Sequence, residues 1–230
     1  MPRRLEQRAA PLVVAAPMAV EAWAVGRGLR SVEQGARVKV IRTGMRAGRA
    51  RKAATRLRSM RVDAIAIAGL AGSADAAVAP GDVVVASELR GPDGGCIGLE
   101  AESLVGPLEA LGLRVHCGAI AGVDHIVRGA ERESLRQRGV IAVDMESYWL
   151  ADGCTAGPVE RPMACLRVIV DAPGHEIASP ATFARGARAL AVLSRAVSVL
   201  PEWAARRGAG ARLRMSNRTV PAEASAEPAI

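Results

Sequence analysis

The strongest constraint on this chain is a set of short, nearly unbroken apolar runs. They are Leu12–Ala16 (LVVAA), Asp63–Ala68 (DAIAIA), Asp82–Ser87 (DVVVAS), Val140–Val143 (VIAV) and Ala164–Val170 (ACLRVIV). Each is too short for a stable helix and offers no consistently polar side to water, so each reads as a strand buried on both faces. Arg37–Thr43 and Arg114–Ile120 read as further strands. Between them lie helical patterns at Glu21–Leu29, 46–58, Glu100–Leu111 and Pro180–Trp203, the last opened by Ser179 as N-cap and Pro180 at its first position. Gly69–Ser73 and Pro80-Gly81 read as turns, and Gly91–Gly98 as a glycine-rich loop. Alternation of this kind predicts an α/β fold, a sheet covered by helices on both faces.

A chain of 230 residues that is half apolar can bury one sizeable core, and with aromatics at 2% that core must be aliphatic. One domain over 11–206 is expected, after a flexible start at 1–10. A disordered tail is expected over 207–230, where Gly, Ala, Arg, Ser, Glu and Pro follow no period. No apolar run reaches the length of a membrane span. The basic start followed by LVVAA reads as a first strand rather than a leader, so the expected location is cytoplasmic. Cys96, Cys117, Cys154 and Cys165 show neither CxxC spacing nor paired histidines, and read as small buried hydrophobes rather than metal ligands.

The net charge of +8 is unevenly placed, with eleven Lys or Arg against Glu33 alone over residues 30–61. Arg46, Arg49, Arg51, Lys52, Arg56 and Arg58 share one expected helix. Its two readings are a solvated basic face and an attraction to an anionic surface. Aromatic side chains that would stack bases are missing, which ranks a membrane surface above nucleic acid.

Ligands of such sheets sit at the carboxyl ends of strands. Those ends deliver Glu21 after Pro17-Met18, Gly69-Leu70-Ala71-Gly72, Asp124-His125-Ile126-Val127, Met145 and Glu146 within VDMES, and Asp171 after Arg167. Singly, each carboxylate reads as a cap or turn former. The acids of VDMES fit either the acidic first turn of a helix or a group that holds hydroxyls. Strand alternation places Arg167, Ile169 and Asp171 on one face, where the arginine would position the acid.

Taken in order, PMxxE, GxxG before PGDVVVA, VDMES and RxxxD resemble the nucleoside phosphorylase superfamily over residues 12–203. The branch of methylthioadenosine and S-adenosylhomocysteine nucleosidases is similar. APMxxEA, the Trp149 after VDMES, and RVIVDAPGHE before Pro-Ala-Thr resemble most the hopanoid-associated phosphorylases, which take adenine from adenosylhopane. The resemblance implies a single-domain three-layer sandwich around a mixed sheet, assembled as a homodimer or larger. It implies Asp171 as the acid that protonates or hydrogen-bonds purine N7, within an aliphatic pocket. Glu146 would hold the ribose hydroxyls with Met145 packed on the sugar, and Asp144 would cap or pair outside the site. Glu21 would activate water, favouring hydrolysis without a cofactor. Phosphate remains the alternative co-substrate, with Arg42 to hold it. Gly69, Leu70 and Gly72 would line the nucleophile's position, where Leu70 replaces a hydroxyl residue. Ile126 replaces a stacking phenylalanine, Val127 would read the adenine edge through its backbone, and His125 is a candidate to compensate. The alternatives are a nucleosidase for soluble methylthioadenosine or S-adenosylhomocysteine, and a non-catalytic nucleotide- or nucleic-acid-binding protein.

Overall fold

The computed structural model describes residues 12–30, 32, 37–100, 102–156, 161–173 and 181–207. The expected flexible start, the tail beyond Arg207, Ser179 with Pro180, and His175 lie outside the described residues. The strands are β1 (Leu12–Ala16), β2 (Val38–Arg42), β3 (Ala64–Ser73), β4 (Val83–Arg90), β5 (Cys96–Gly98), β6 (Val115–Gly122), β7 (Val140–Asp144) and β8 (Met163–Asp171). The helices are α1 (Ala19–Arg30), α2 (Ala47–Arg58), α3 (Val105–Ala110), α4 (Gly129–Gln137), α5 (Ser147–Thr155) and α6 (Ala181–Ala196).

The sheet is mixed. β1 lies parallel to β2 and β3, and β3 parallel to β8. β8 runs antiparallel to β4, and β4, β6 and β7 follow in parallel. β7 then returns antiparallel to the end of β3, pairing Val143 with Gly72 and Ala142 with Ser73. Strands β3, β8, β4, β6 and β7 thus close into a ring, with β2 and β1 extending it on one side.

β3 shows why the layers form. Its Ala64, Ala66 and Ala68 face the cluster built with α1, α3 and α6, while Ile65 and Ile67 face α2 and α5. The small side of the strand lets two helices lie close to it. α1 and α6 also approach each other so nearly that a Cβ on Gly28 would sit 1.8 Å from the Ser194 carbonyl oxygen. A third cluster packs Leu135 of α4 against Val140, Ala119 and Val143.

Five expectations need correction. Gly69–Ser73 is no turn but the end of β3, because β8 and β7 both supply ladder partners there. The Gly91–Gly98 loop contains β5, hairpinned onto β4. The Glu100–Leu111 helix is a 3-10 turn at Glu102–Leu104 followed by the short α3. The last helix tightens to 3-10 at Val197–Val199, since Pro201 has no N–H for the Val197 carbonyl, and resumes over 200–207. Arg207 therefore belongs to that helix and not to the tail. Finally, Cys154 and Cys165 are buried but Cys96 and Cys117 are exposed.

Candidate active site

β1 ends at Ala16, and the chain turns at Pro17-Met18 straight into α1, which sets Glu21 in the first helical turn. The side chain is 1% exposed. Its oxygens accept from the backbone N–H groups of Met18 and Leu70, each at 2.7 Å. Burial nevertheless pushes this carboxyl above its usual range, with Arg167 and the two N–H groups working against that rise.

β7 ends in Asp144, which is spent on local structure. It accepts from the N–H groups of Glu146 (3.1 Å) and Ser147 (3.0 Å) and from the Ser147 hydroxyl, capping α5. It also pairs with Arg167 Nη2 at 2.6 Å. The expected cap is present, but the expectation that Asp144 pairs apart from the other acids is corrected, because Arg167 lies among Asp144, Glu21 and Glu146. That guanidinium is fully buried and donates through Nη2 and Nε to Ser147 Oγ at 2.7 and 3.1 Å. Burial opposes its charge, but Asp144, Cys165, Glu21 and Glu146 outweigh burial and hold it above the ordinary arginine range.

Glu146, the other acid of VDMES, has fewer partners among the described residues. Its Oε1 accepts from the backbone N–H of Arg46 at 2.7 Å. Arg46 sits at φ 71°, in the left-handed region, and Gly44 nearby at φ 82°. The chain before α2 is thus bent to aim one N–H at the acid, a strain characteristic of functional loops. Burial pushes the Glu146 carboxyl up, against Arg167 and the Arg46 N–H, while Asp144 and Glu21 add to the rise.

Asp171, 5% exposed, ends β8 beside Gly72. A Cβ on Gly72 would lie 2.8 Å from Asp171 Oδ1, and one on Gly69 would lie 2.3 Å from Arg167 Nη1 and 2.7 Å from Glu21 Oε1. These glycines are required because charged groups pack against the strand itself. Gly72 is also the ladder partner of Val143, two residues before Met145, so the register brings the Asp171 and Glu146 segments to one junction.

Two expectations about Asp171 are corrected. The β3–β8 register shifts between Ala71 and Gly72, leaving Val170 unmatched and breaking the alternation after Ile169. Arg167 consequently serves Asp144 and Ser147. The partner of Asp171 is Arg132 of α4, whose Nη2 lies 2.6 Å from Oδ2, so the pocket beside the acid is not aliphatic. The same Nη2 donates to the Val127 carbonyl at 3.2 Å.

The remaining residues divide. Val127 is buried, Met145 half-buried, and Leu70 packs its side chain on the α1–α6 cluster while its N–H holds Glu21. Ile126 is 54% exposed. Arg42 is exposed at the end of β2, and no hydrogen bond or ion pair joins it to the acids among the described residues. His125 is held by carboxylates on both ring nitrogens, Asp124 at 2.7 Å and Glu131 at 2.9 Å, on an exposed loop. Sequence reasoning missed the site roles of Arg132, Arg46 and Ser147. Of these, only Ser147 carried a signal, as the residue after an acidic strand end and first in a helix.

Because burial raises the Glu21 and Glu146 carboxyls, both bind protons more tightly folded than unfolded. The stability this contributes is complete below the ordinary value of 4.5 and is lost as pH rises through the raised folded values. Urea midpoints should therefore fall across that window, and the Glu21→Gln, Glu146→Gln double variant should show a flatter dependence. An equally steep fall in the double variant would contradict the assignment.

The Phosphorylase superfamily matches residues 6–200, and the chain belongs to it. A comparison with curated proteins found no match. Among solved structures, a 5′-methylthioadenosine/S-adenosylhomocysteine nucleosidase from Colwellia psychrerythraea 34H, in complex with adenine, is 21% identical with a TM-score of 0.69, covering 87% of this chain and 97% of that one. The corresponding nucleosidase from Neisseria meningitidis, in complex with methylthio-immucillin-A, is 19% identical with a TM-score of 0.70 and coverage of 84% and 99%. Futalosine hydrolase of Helicobacter pylori strain 26695 is 18% identical, with a TM-score of 0.65 and coverage of 86% and 97%. These likenesses establish the nucleosidase-like fold.

Proposed function

We propose that this protein hydrolyses the N-glycosidic bond of an adenine nucleoside, and that its substrate is adenosylhopane, giving adenine and ribosylhopane. The observation that carries the reading is the pair of buried acids Glu21 and Glu146 around one buried arginine beside β3, with Asp171 of β8 packed on Gly72 of the same strand. Buried carboxylates are costly unless something hydrogen-bonds them. A ribose offers Glu146 two hydroxyl donors. Water facing Glu21 would lose its proton to that carboxylate as its oxygen bonds to C1′. Asp171 would meet the N6–N7 edge of the departing base. Held by two backbone N–H groups, Glu21 is oriented for this role without phosphate.

The lipid substituent is favoured by what surrounds the acids. Val20 and Trp23, 51% and 59% exposed, flank Glu21 in α1, and Met45, 49% exposed, adjoins Arg46. A groove of about 570 Å³ is lined by Met45, Arg46, Gly48, Arg49 and Lys52, beside the Arg46 N–H that touches Glu146. An apolar tail leaving the ribose 5′ position toward a basic helix fits an anionic membrane surface. No helix among the described residues is long and apolar enough to cross a membrane.

The test measures adenine release, without phosphate, from adenosylhopane in anionic vesicles and from soluble methylthioadenosine. The lipid substrate should be faster by at least about tenfold, with binding to the vesicles at low salt. Equal or faster release from the soluble nucleoside, or indifference to the vesicles, would assign the protein to soluble substrates instead.

A further inference from the structure

The loop between β6 and α4 carries Ile126 and Val127, which the resemblance sets against the base, and it is anchored unevenly. At its start the Val123 N–H donates to the Asp144 carbonyl at 2.8 Å. At its end the Val127 carbonyl accepts from Arg132 Nη2, the same nitrogen that pairs with Asp171. Between these ties, residues 124–126 make no backbone–backbone hydrogen bond among the described residues. What spans that stretch is His125. Its Nδ1 lies 2.7 Å from Asp124 Oδ1, and its Nε2 lies 2.9 Å from both carboxylate oxygens of Glu131, in the first turn of α4. A neutral imidazole has one N–H, so it donates to one carboxylate only and turns a lone pair toward the other. The bridge therefore requires the imidazolium, and the two carboxylates hold the ring above its ordinary value of 6.5. No other charged side chain is bonded to it among the described residues.

We propose that His125 is a positioning residue, whose imidazolium clasps this loop to α4 so that Ile126 and Val127 meet the base. The proposal rests on the adenine-nucleoside reading and deepens it, by making nucleoside binding depend on one proton away from the reacting atoms. Ile126 is 54% exposed and joins no apolar cluster among the described residues, so it relies on the bridge for its place. Once His125 loses its proton, one carboxylate contact goes and residues 124–126 are released. Glu21, Glu146 and Asp171 keep their places, so the nucleoside binds more weakly while the chemical step is unchanged. Binding is therefore strongest below the raised titration point of His125 and weakens as pH rises through it. Linkage is reciprocal, so a bound nucleoside must in turn favour the protonated ring.

The chain has three histidines, His116, His125 and His175, so the ring of His125 can be followed by NMR and assigned with His125→Gln. KM is measured against pH for whichever of adenosylhopane and methylthioadenosine is cleaved faster. In the wild type it should rise about threefold through the His125 midpoint, with the kcat profile matching that of His125→Gln. His125→Gln, which keeps one donor, should hold KM at the raised level on both sides of that pH. Glu131→Gln removes one carboxylate and should move the NMR midpoint and the KM rise to lower pH together. An adenosine analogue that resists hydrolysis should raise the wild-type midpoint. If KM follows the same pH course in the wild type and His125→Gln, or the midpoint ignores the analogue, the proposal is overturned while the adenine reading stands. A wild-type protein that releases base from no adenine nucleoside overturns both.

Discussion

Asp171→Asn is expected to reduce base release by about a thousandfold while ribonucleoside binding survives. The asparagine keeps the size of the side chain and one acceptor oxygen, so the Gly72 contact and the shape of the pocket are preserved. It loses the charge that holds Arg132 at 2.6 Å, and with it the ion pair that fixes the side chain. Base release read by chromatography, together with nucleoside binding read by calorimetry, separates the two effects. A drop in binding that matches the drop in rate would mean that Asp171 shapes the pocket and takes no part in chemistry. A non-catalytic nucleotide-binding protein would show no release to lose.

The largest effect on stability is expected from Arg167→Met. The arginine is fully buried and its charge offsets three acids, Asp144, Glu21 and Glu146. Removing one partner of a buried ion pair typically costs about 3–5 kcal/mol, chiefly because the remaining charge is left uncompensated. The Ser147 hydroxyl loses two donors as well. Denaturant unfolding should show a loss of that size, and Asp144→Asn in the same chain should restore part of it, since the two sites are directly coupled. A loss under about 1 kcal/mol would mean that water reaches the cluster and that the acids are not held in a dry site.

The strands were legible because an apolar run such as LVVAA or AIAIA has no alternative but the middle of a covered sheet. The helices that press an apolar face onto that sheet, α1 and α2, were legible for the same reason. α4 was not, since Leu135 is its one large apolar residue and the rest of GAERESLRQ is mostly polar. With α4 unread, Arg132 stayed invisible, and Asp171 was assigned an aliphatic setting that the structure replaces with an ion pair. The glycines of β3 misled for a related reason. Local sequence reads Gly69–Ser73 as a turn, whereas long-range pairing with β8 and β7 holds it extended. The register shift that turns Asp171 away from Arg167 is likewise a property of two strands together, and alternation within one strand does not reveal it.

The acids at the strand ends fared differently, because each follows directly from the end of an element that was read correctly. Glu21 opens α1 and Glu146 precedes α5, and both are buried within reach of Arg167. Within VDMES the resemblance already divided the two acids, but it did not reveal the ion pair that Asp144 makes with Arg167. Asp144 accepts from the first N–H of the helix and pairs with Arg167, whereas the Glu146 side chain keeps a single hydrogen bond among the described residues, from the Arg46 N–H.

The central claim, that separated acids meet at one nucleoside, is tested most directly by a crystal structure with a hydrolysis-resistant adenosine analogue. The predicted complex has Asp171 within about 3 Å of the N6–N7 edge, Glu146 at the same distance from the ribose hydroxyls, and Glu21 facing a water below C1′. An analogue bound elsewhere, or bound with any of the three acids out of reach, would contradict it.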